Sequence, residues 1–130
     1  MNLSKTLFVI ALCTLIFSAC KKEKHDNPSI VGFWKGKYGG VSNYPSVGYA
    51  LLFRNNGTVR VFDGSDTATA SKAEGTYTVV GSTVTLTYLY SGSGSLSASA
   101  TANSGWNFVE GTWGYGTNTT NGGRFFANKQ

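Results

Sequence analysis

Few residues of this chain have side chains able to make or break bonds. Cys13, Cys20 and His25 all lie near the N-terminus, and from Ser29 onward there is neither His nor Cys. That removes metal sites built on imidazole or thiolate, Ser-His-Asp and Cys-His nucleophile systems, and disulfide redox chemistry from the rest of the chain. Four carboxylates remain there: Asp63, Asp66, Glu74 and Glu110. Asp63 and Asp66, in FDGSDT, could open an oxygen-ligand calcium loop, but the spaced acids and closing Glu of such a loop are missing, so the stretch reads as an Asp-Gly turn. Glu74 and Glu110 each precede Gly-Thr-aromatic, and a glycosidase would need two such carboxylates about 5–10 Å apart in a cleft. With so few acids, no residue is assigned as catalytic, and neither metal nor cofactor is expected. The runs GSGS and TNGGR lack the Lys-Ser/Thr ending of a phosphate loop and read as turns.

Cys20 carries a different chemistry. Residues 1–19 have a Lys near the start, an apolar run from Leu7 to Phe17, and the small residues Ser18 and Ala19 at the end. This is the layout of a secretory signal, and the run is short of the roughly 20 apolar residues that a membrane-spanning helix needs. Ser-Ala-Cys closing the run resembles the lipobox of bacterial lipoproteins, with Phe17 where that motif usually has Leu. The resemblance implies cleavage before Cys20 and attachment of a thioether diacylglycerol and an N-acyl chain such as palmitate, which together bury enough hydrocarbon for stable anchoring. No cysteine follows Cys20, so it cannot staple the fold, and lipidation accounts for its position. Residues 20–28 are polar and charged and read as a flexible tether. Lys21 directly after the Cys, where inner-membrane lipoproteins of some bacteria carry Asp, leans toward the outer membrane, with the periplasmic or surface face left open.

The formal charge of the 130-residue chain is +5, but from Ser29 onward seven basic residues face four acidic ones, a net of +3. The basic residues are scattered singly and form no stripe with interleaved aromatics, so no nucleic-acid partner is expected. Residues 29–130 have room for one domain and one hydrophobic core.

These side chains must be positioned by strands. Glycine is abundant at 17 residues, proline scarce at 2, and aromatics make up 14% of the chain, a mixture that favours strands and tight turns. Alternation between turn signals predicts eight strands near 31–38, 47–54, 58–63, 73–80, 83–90, 95–102, 106–113 and 122–128, with no helix. Tyr49, Leu51 and Phe53 alternate up to Asn55-Asn56-Gly57, after which Val59 and Val61 resume the alternation. Leu86, Tyr88 and Tyr90 share a face opposite Thr83, Thr85 and Thr87. The serine-rich stretch 91–105 hides a strand whose inward residues, Leu96, Ala98, Ala100 and Ala102, are mostly small. The fold expected is all-β, an antiparallel up-and-down barrel of about eight strands that is hollow, if anywhere, beneath this strand.

Three steps pair a glycine with an aromatic two residues on: Gly32-Phe33-Trp34, Gly75-Thr76-Tyr77 and Gly111-Thr112-Trp113. In a small barrel the glycine permits the sharp bend of the strand and the aromatic fills the taper. GFWKGKY, FRNNGTVRVF, GTYTVVGSTVTLTY, GTWGYG and GGRFFANK together resemble the small lipocalin-like lipoproteins of Bacteroidetes, over nearly all of the chain after the tether. Gly32-x-Trp34 is similar to the lipocalin signature, which implies a Trp sealing one barrel end against a late Arg. With Trp34 opposite Phe126, Arg124 would lie diagonally from Trp34 as its cation–π partner. GTWGYG is also similar to avidin-like barrels, without matching biotin-binding residues.

The functional expectation is a membrane-anchored, non-catalytic barrel that binds a small apolar or glycan ligand, with Trp34, Tyr77, Tyr88, Trp106 and Trp113 as binding candidates. Gly32, Trp34, Gly75, Gly111 and Arg124 are the candidates for closing the barrel. A hollow barrel should have a cavity beneath Leu96 to Ala102 lined by Tyr88, Trp106 or Trp113. The alternative is a filled barrel with an exposed aromatic patch, acting on an envelope protein or inhibiting a secreted enzyme. A glycan-acting enzyme ranks last.

Overall fold

A computed structural model of the chain describes residues 27–130. The expected leader at 1–19, the expected lipidation site Cys20 and most of the expected tether at 20–28 lie outside the described residues. Eight strands follow in order: β1 (Gly32–Gly40), β2 (Val47–Phe53), β3 (Thr58–Asp63), β4 (Ser71–Val80), β5 (Thr83–Tyr90), β6 (Ser95–Ala102), β7 (Phe108–Tyr115) and β8 (Gly123–Lys129). Each pairs antiparallel with its sequence neighbours and β8 returns to β1, giving a closed up-and-down barrel. All-β architecture and strand number thus match the expectation from alternation. Every strand has two hydrogen-bonded neighbours and the buried core runs from Ile30 to Ala127, so residues 27–130 close on themselves as one folding unit.

Residues opposite each other in an antiparallel ladder share a face, so the register defines the inward set. Trp34 lies opposite both Leu51 and Lys129, Val61 opposite Ala73, Leu86 opposite Ala98, and Gly111 opposite both Ala100 and Phe125. Trp34, Leu51, Val59, Val61, Val84 and Val109 are almost fully buried, and each such side chain contributes about 1.5–3 kcal/mol through removal from water. The outward face carries hydroxyls and charges, together with Phe33 packed edge-on against Phe62 and Phe108 stacked on Phe126. Two Asn-x-Thr steps serve turns: the Asn56 carboxamide oxygen accepts from the amide of Thr58 at 3.1 Å, and that of Asn118 from the amide of Thr120 at 2.8 Å.

Barrel closure depends on inward glycines where neighbouring strands come very close. A Cβ on Gly75 would stand 2.0 Å from the carbonyl oxygen of Thr87, and one on Gly111 would stand 1.9 Å from that of Ser99. At both positions the neighbouring backbone leaves no room for a side chain. Two further inward positions behave alike: a Cβ on Gly36 would meet the carbonyl oxygen of Phe126 at 1.8 Å, and one on Gly123 that of Gly39 at 1.9 Å. Gly32 differs: its added Cβ would meet only the flexible Lys129 side chain. GFWKGKY thus contains two Gly-x-aromatic steps, and the second one, Gly36-Lys37-Tyr38, makes the corner.

Two local expectations are corrected. β7 starts at Phe108 instead of 106, because the Asn103 side chain accepts hydrogen bonds from the amides of Asn107 and Phe108 at 3.0 and 3.2 Å and holds a turn there. Trp106 sits within that turn with φ of 52°, a left-handed backbone that is uncommon for a bulky residue. The pairing of β1 with β8 also differs from the expected one. Trp34 faces Lys129, not Phe126, while Arg124 faces Gly39. A slip by an odd number of residues exchanges the faces of a strand, so Phe126 points outward, and the inward residues of β8 are Gly123, Phe125, Ala127 and Lys129. Arg124 is exposed on the outer wall, and the cation over Trp34 is the Lys129 ammonium, 5.8 Å from the ring centroid.

Candidate functional site: an aromatic cavity at one end of the barrel

Odd-numbered strands run from one end of the barrel to the other and even-numbered strands run back, so each inward residue belongs to an end fixed by strand direction. At one end, Trp34 is fully buried and its indole NH donates to the Ile30 carbonyl at 2.8 Å. Phe53 packs edge-on against both Trp34 and Tyr77, the Tyr77 hydroxyl donates to the Arg54 carbonyl at 2.6 Å, and Trp106 packs on the same core. Lys129 completes the seal by donating to the Ser29 carbonyl at 2.8 Å. This end is solid.

The other end is hollow. A cavity of about 670 Å³ opens there, lined by aromatic rings from β1, β2, β5, β7 and β8, by Leu96 and Ala98 of β6, and by Asp63 at the end of β3. Ala98 in its wall is small, and the inward glycines Gly36, Gly75 and Gly111 carry no side chain to fill the barrel interior. The rings brace one another edge-on, Tyr38 against Tyr49 at 5.8 Å and against Trp113 at 6.0 Å, Tyr49 against Phe125 at 5.9 Å, and Trp113 against Tyr115 at 5.5 Å. Trp113 is pinned by its indole NH, which donates to the Gly39 carbonyl at 3.0 Å. Its ring lies over Gly122, where a Cβ would approach it to 2.3 Å.

The polar groups of the cavity are mostly phenols. The Tyr38 hydroxyl donates to Asp63 Oδ1 at 2.9 Å. The Tyr49 hydroxyl is buried in the wall and has no hydrogen-bond partner among the described residues. Burial pushes the Tyr88 phenol up to about 12, with the nearby Tyr38 and Asp63 adding to the rise, and raises Tyr49 and Tyr90 as well. Removal from water disfavours the phenolate, so these hydroxyls stay protonated at neutral pH and can act as donors.

Of the binding candidates, Tyr88 and Trp113 line the cavity beside Leu96 and Ala98. Trp34, Tyr77 and Trp106 sit at the solid end, and Ala100 and Ala102 lie on that side of the barrel too. Sequence reasoning missed Tyr38, Tyr49, Tyr90, Tyr115, Phe125 and Asp63 as cavity residues. A signal existed for several: Gly36-x-Tyr38 repeats the glycine-aromatic spacing, Tyr90 shares the face of Tyr88, and Asp63 continues the alternation of Val59 and Val61. The carboxylates Glu74 and Glu110 are not brought together. Both point outward on β4 and β7, which are not adjacent, and Glu74 is bound by Arg60 and by Arg54 at 3.1 Å. Burial works against the charged form of Glu74, but its two arginine partners outweigh this and hold its carboxyl below the usual value. Asp66 caps its own loop, accepting from the amide of Ala68 at 3.0 Å and the hydroxyl of Thr69 at 3.0 Å. Comparisons with protein-family models, with curated proteins and with solved structures returned no match.

Proposed function

We propose that this protein is a lipid-anchored, non-catalytic carrier of the bacterial envelope, of the lipocalin-like kind, that holds a small and largely apolar ligand in the aromatic end of its barrel. The observation that carries this reading is the cavity of about 670 Å³ at one end of a barrel whose other end is packed solid. Such a volume falls within the range of ordinary ligand sites, about 300–1,000 Å³. Its wall is mainly ring faces and aliphatic carbon, with phenol donors for orientation. The chain enters the barrel at the solid end, through Ile30 beneath Trp34. An anchor at Cys20, joined by a tether of at most roughly 30 Å at 3.3–3.6 Å per residue, would hold the solid end toward the outer membrane and leave the mouth clear of it.

The test uses N-phenyl-1-naphthylamine, a neutral apolar fluorophore, with the 27–130 barrel. One probe per barrel should bind with a rise in emission, and Ala98→Phe, which fills the space beneath β6, should abolish binding while the far-ultraviolet dichroism is kept. Absence of binding by the unsubstituted barrel would overturn the carrier reading. For the anchor, Cys20→Ala in the full chain should move the protein from the membrane fraction to the soluble one, and unchanged fractionation would refute lipidation.

A second reading, contact with an envelope protein, is favoured by one feature. Tyr44 is 83% exposed and Val41 69% exposed on the β1–β2 loop, beside an outer groove that also contains Glu110, Thr112, Arg124 and Phe126. Cross-linking from a photoreactive residue at position 44 in cells would reveal such a partner.

A further inference from the structure

Two charged side chains occupy inward positions of the barrel, and they lie at opposite ends. Lys129 is used up at the solid end, between the Trp34 ring and the Ser29 carbonyl. Asp63 stands at the mouth of the cavity and is the one charged residue among those lining it. Among the described residues no cation pairs with Asp63: the ion pairs formed are those of Glu74 with Arg54 and Arg60. The neighbouring cations project from outward faces: Lys37 on β1, Arg124 on β8, and Lys72 on β4, which pairs with Phe62 and lies over its ring, 5.9 Å from the centroid. Asp63 is held in place by the Tyr38 hydroxyl at 2.9 Å, and Asp66 on the following loop adds a second negative charge at the same end.

A carboxylate among ring faces selects the sign of a ligand's charge. The faces of Tyr and Trp rings carry negative electrostatic potential and attract cations, most strongly where water is partly excluded. An anionic ligand such as a fatty acid would meet a like charge at the mouth and no basic residue in the lining, so only neutral hydroxyls would offset the hydration its carboxylate loses.

We propose that the ligand is a small organic monocation, an amine or quaternary ammonium with an apolar body, whose cationic group sits at the mouth between Asp63 and the rings of Tyr38, Tyr88 and Tyr90 while the body fills the cavity toward Leu86 and Ala98. This rests on the carrier reading above and names its ligand class. The three rings and Asp63 all line the same cavity.

The experiment compares three probes with the same ten-carbon body: decyltrimethylammonium, decanol and decanoate. Binding to the 27–130 barrel is followed by tryptophan fluorescence and calorimetry. The cation should bind about tenfold more tightly than the alcohol, equivalent to about 1.4 kcal/mol, and decanoate most weakly. Asp63→Asn should reduce the ratio of cation to alcohol affinity from about tenfold to about one. Asp63→Lys should transfer the preference to decanoate, which guards against a loss caused by misfolding alone. Equal affinities for all three probes, or a cation preference that survives Asp63→Asn, would overturn the cation inference and leave the carrier reading standing. Failure of all three probes together with N-phenyl-1-naphthylamine would bring down both.

Discussion

The two ends of the barrel are made of similar residues and do opposite things. Each has a tryptophan two residues after a glycine, at least one tyrosine, and one inward charge. At the solid end the polar atoms are consumed by the protein itself: the Trp34 NH by Ile30, the Tyr77 hydroxyl by Arg54, the Lys129 ammonium by Ser29. The connections there are short, residues 54–57, 81–82 and 103–107. At the hollow end the connections are mostly longer, residues 41–46, 64–70, 91–94 and 116–122, and the rings brace one another around space. The difference teaches that dense packing and open space are separated along the barrel axis. One end can be left underpacked because the other supplies a dense core.

The largest test of that separation is a pair of substitutions. Trp34→Ala removes a fully buried ring and its hydrogen bond, and should cost about 3–5 kcal/mol, lowering Tm by roughly 12–40 °C for a domain of about 100 residues. Trp113→Ala, half-buried at the cavity wall, should cost about 1–2 kcal/mol and weaken probe binding. Calorimetric melts of the two variants would show it, and equal losses would erase the distinction between the ends.

The next effect is alkaline. The phenols of Tyr49, Tyr88 and Tyr90 are raised by burial, Tyr88 to about 12, so the folded state binds their protons more tightly than the unfolded chain, whose phenols titrate near 10. The contribution of Tyr88 is fully present below about pH 10 and is lost as pH rises through about 12, and those of Tyr49 and Tyr90 are likewise lost in alkali. For Tyr88 alone that amounts to about 2–3 kcal/mol. Urea midpoints between pH 9 and 12, with phenolate absorbance at 295 nm, would follow it, and a flat midpoint across that range would mean that the phenols are open to water.

Smallest is Tyr49→Phe. The hydroxyl is buried and unpartnered, so its removal should leave stability unchanged or raise it by up to about 1 kcal/mol. A loss above that in chemical denaturation would show that the hydroxyl has a partner.

Strand number, strand faces and most boundaries were legible because they are local properties: side chains alternate every residue, and turn residues punctuate the runs. Alternation alone places Leu96, Ala98, Ala100 and Ala102 inward through a serine-rich stretch, and spacing to an aromatic singles out Gly75 and Gly111, where neighbouring backbone comes close. The candidate site was only partly legible. Tyr77 and Trp113 follow their glycines by the same spacing, yet lie at opposite ends because β4 and β7 run in opposite directions. Arg124 was misplaced because the register between β1 and β8 joins residues far apart in the chain, and no local pattern fixes it. By itself the sequence determined which side chains share a face of each strand, since that follows from the two-residue period, but not which face of β8 turns inward. Only the tertiary structure decided which end each one occupies, and so which rings pack and which surround a cavity, because direction and register are set by long-range pairing and barrel closure.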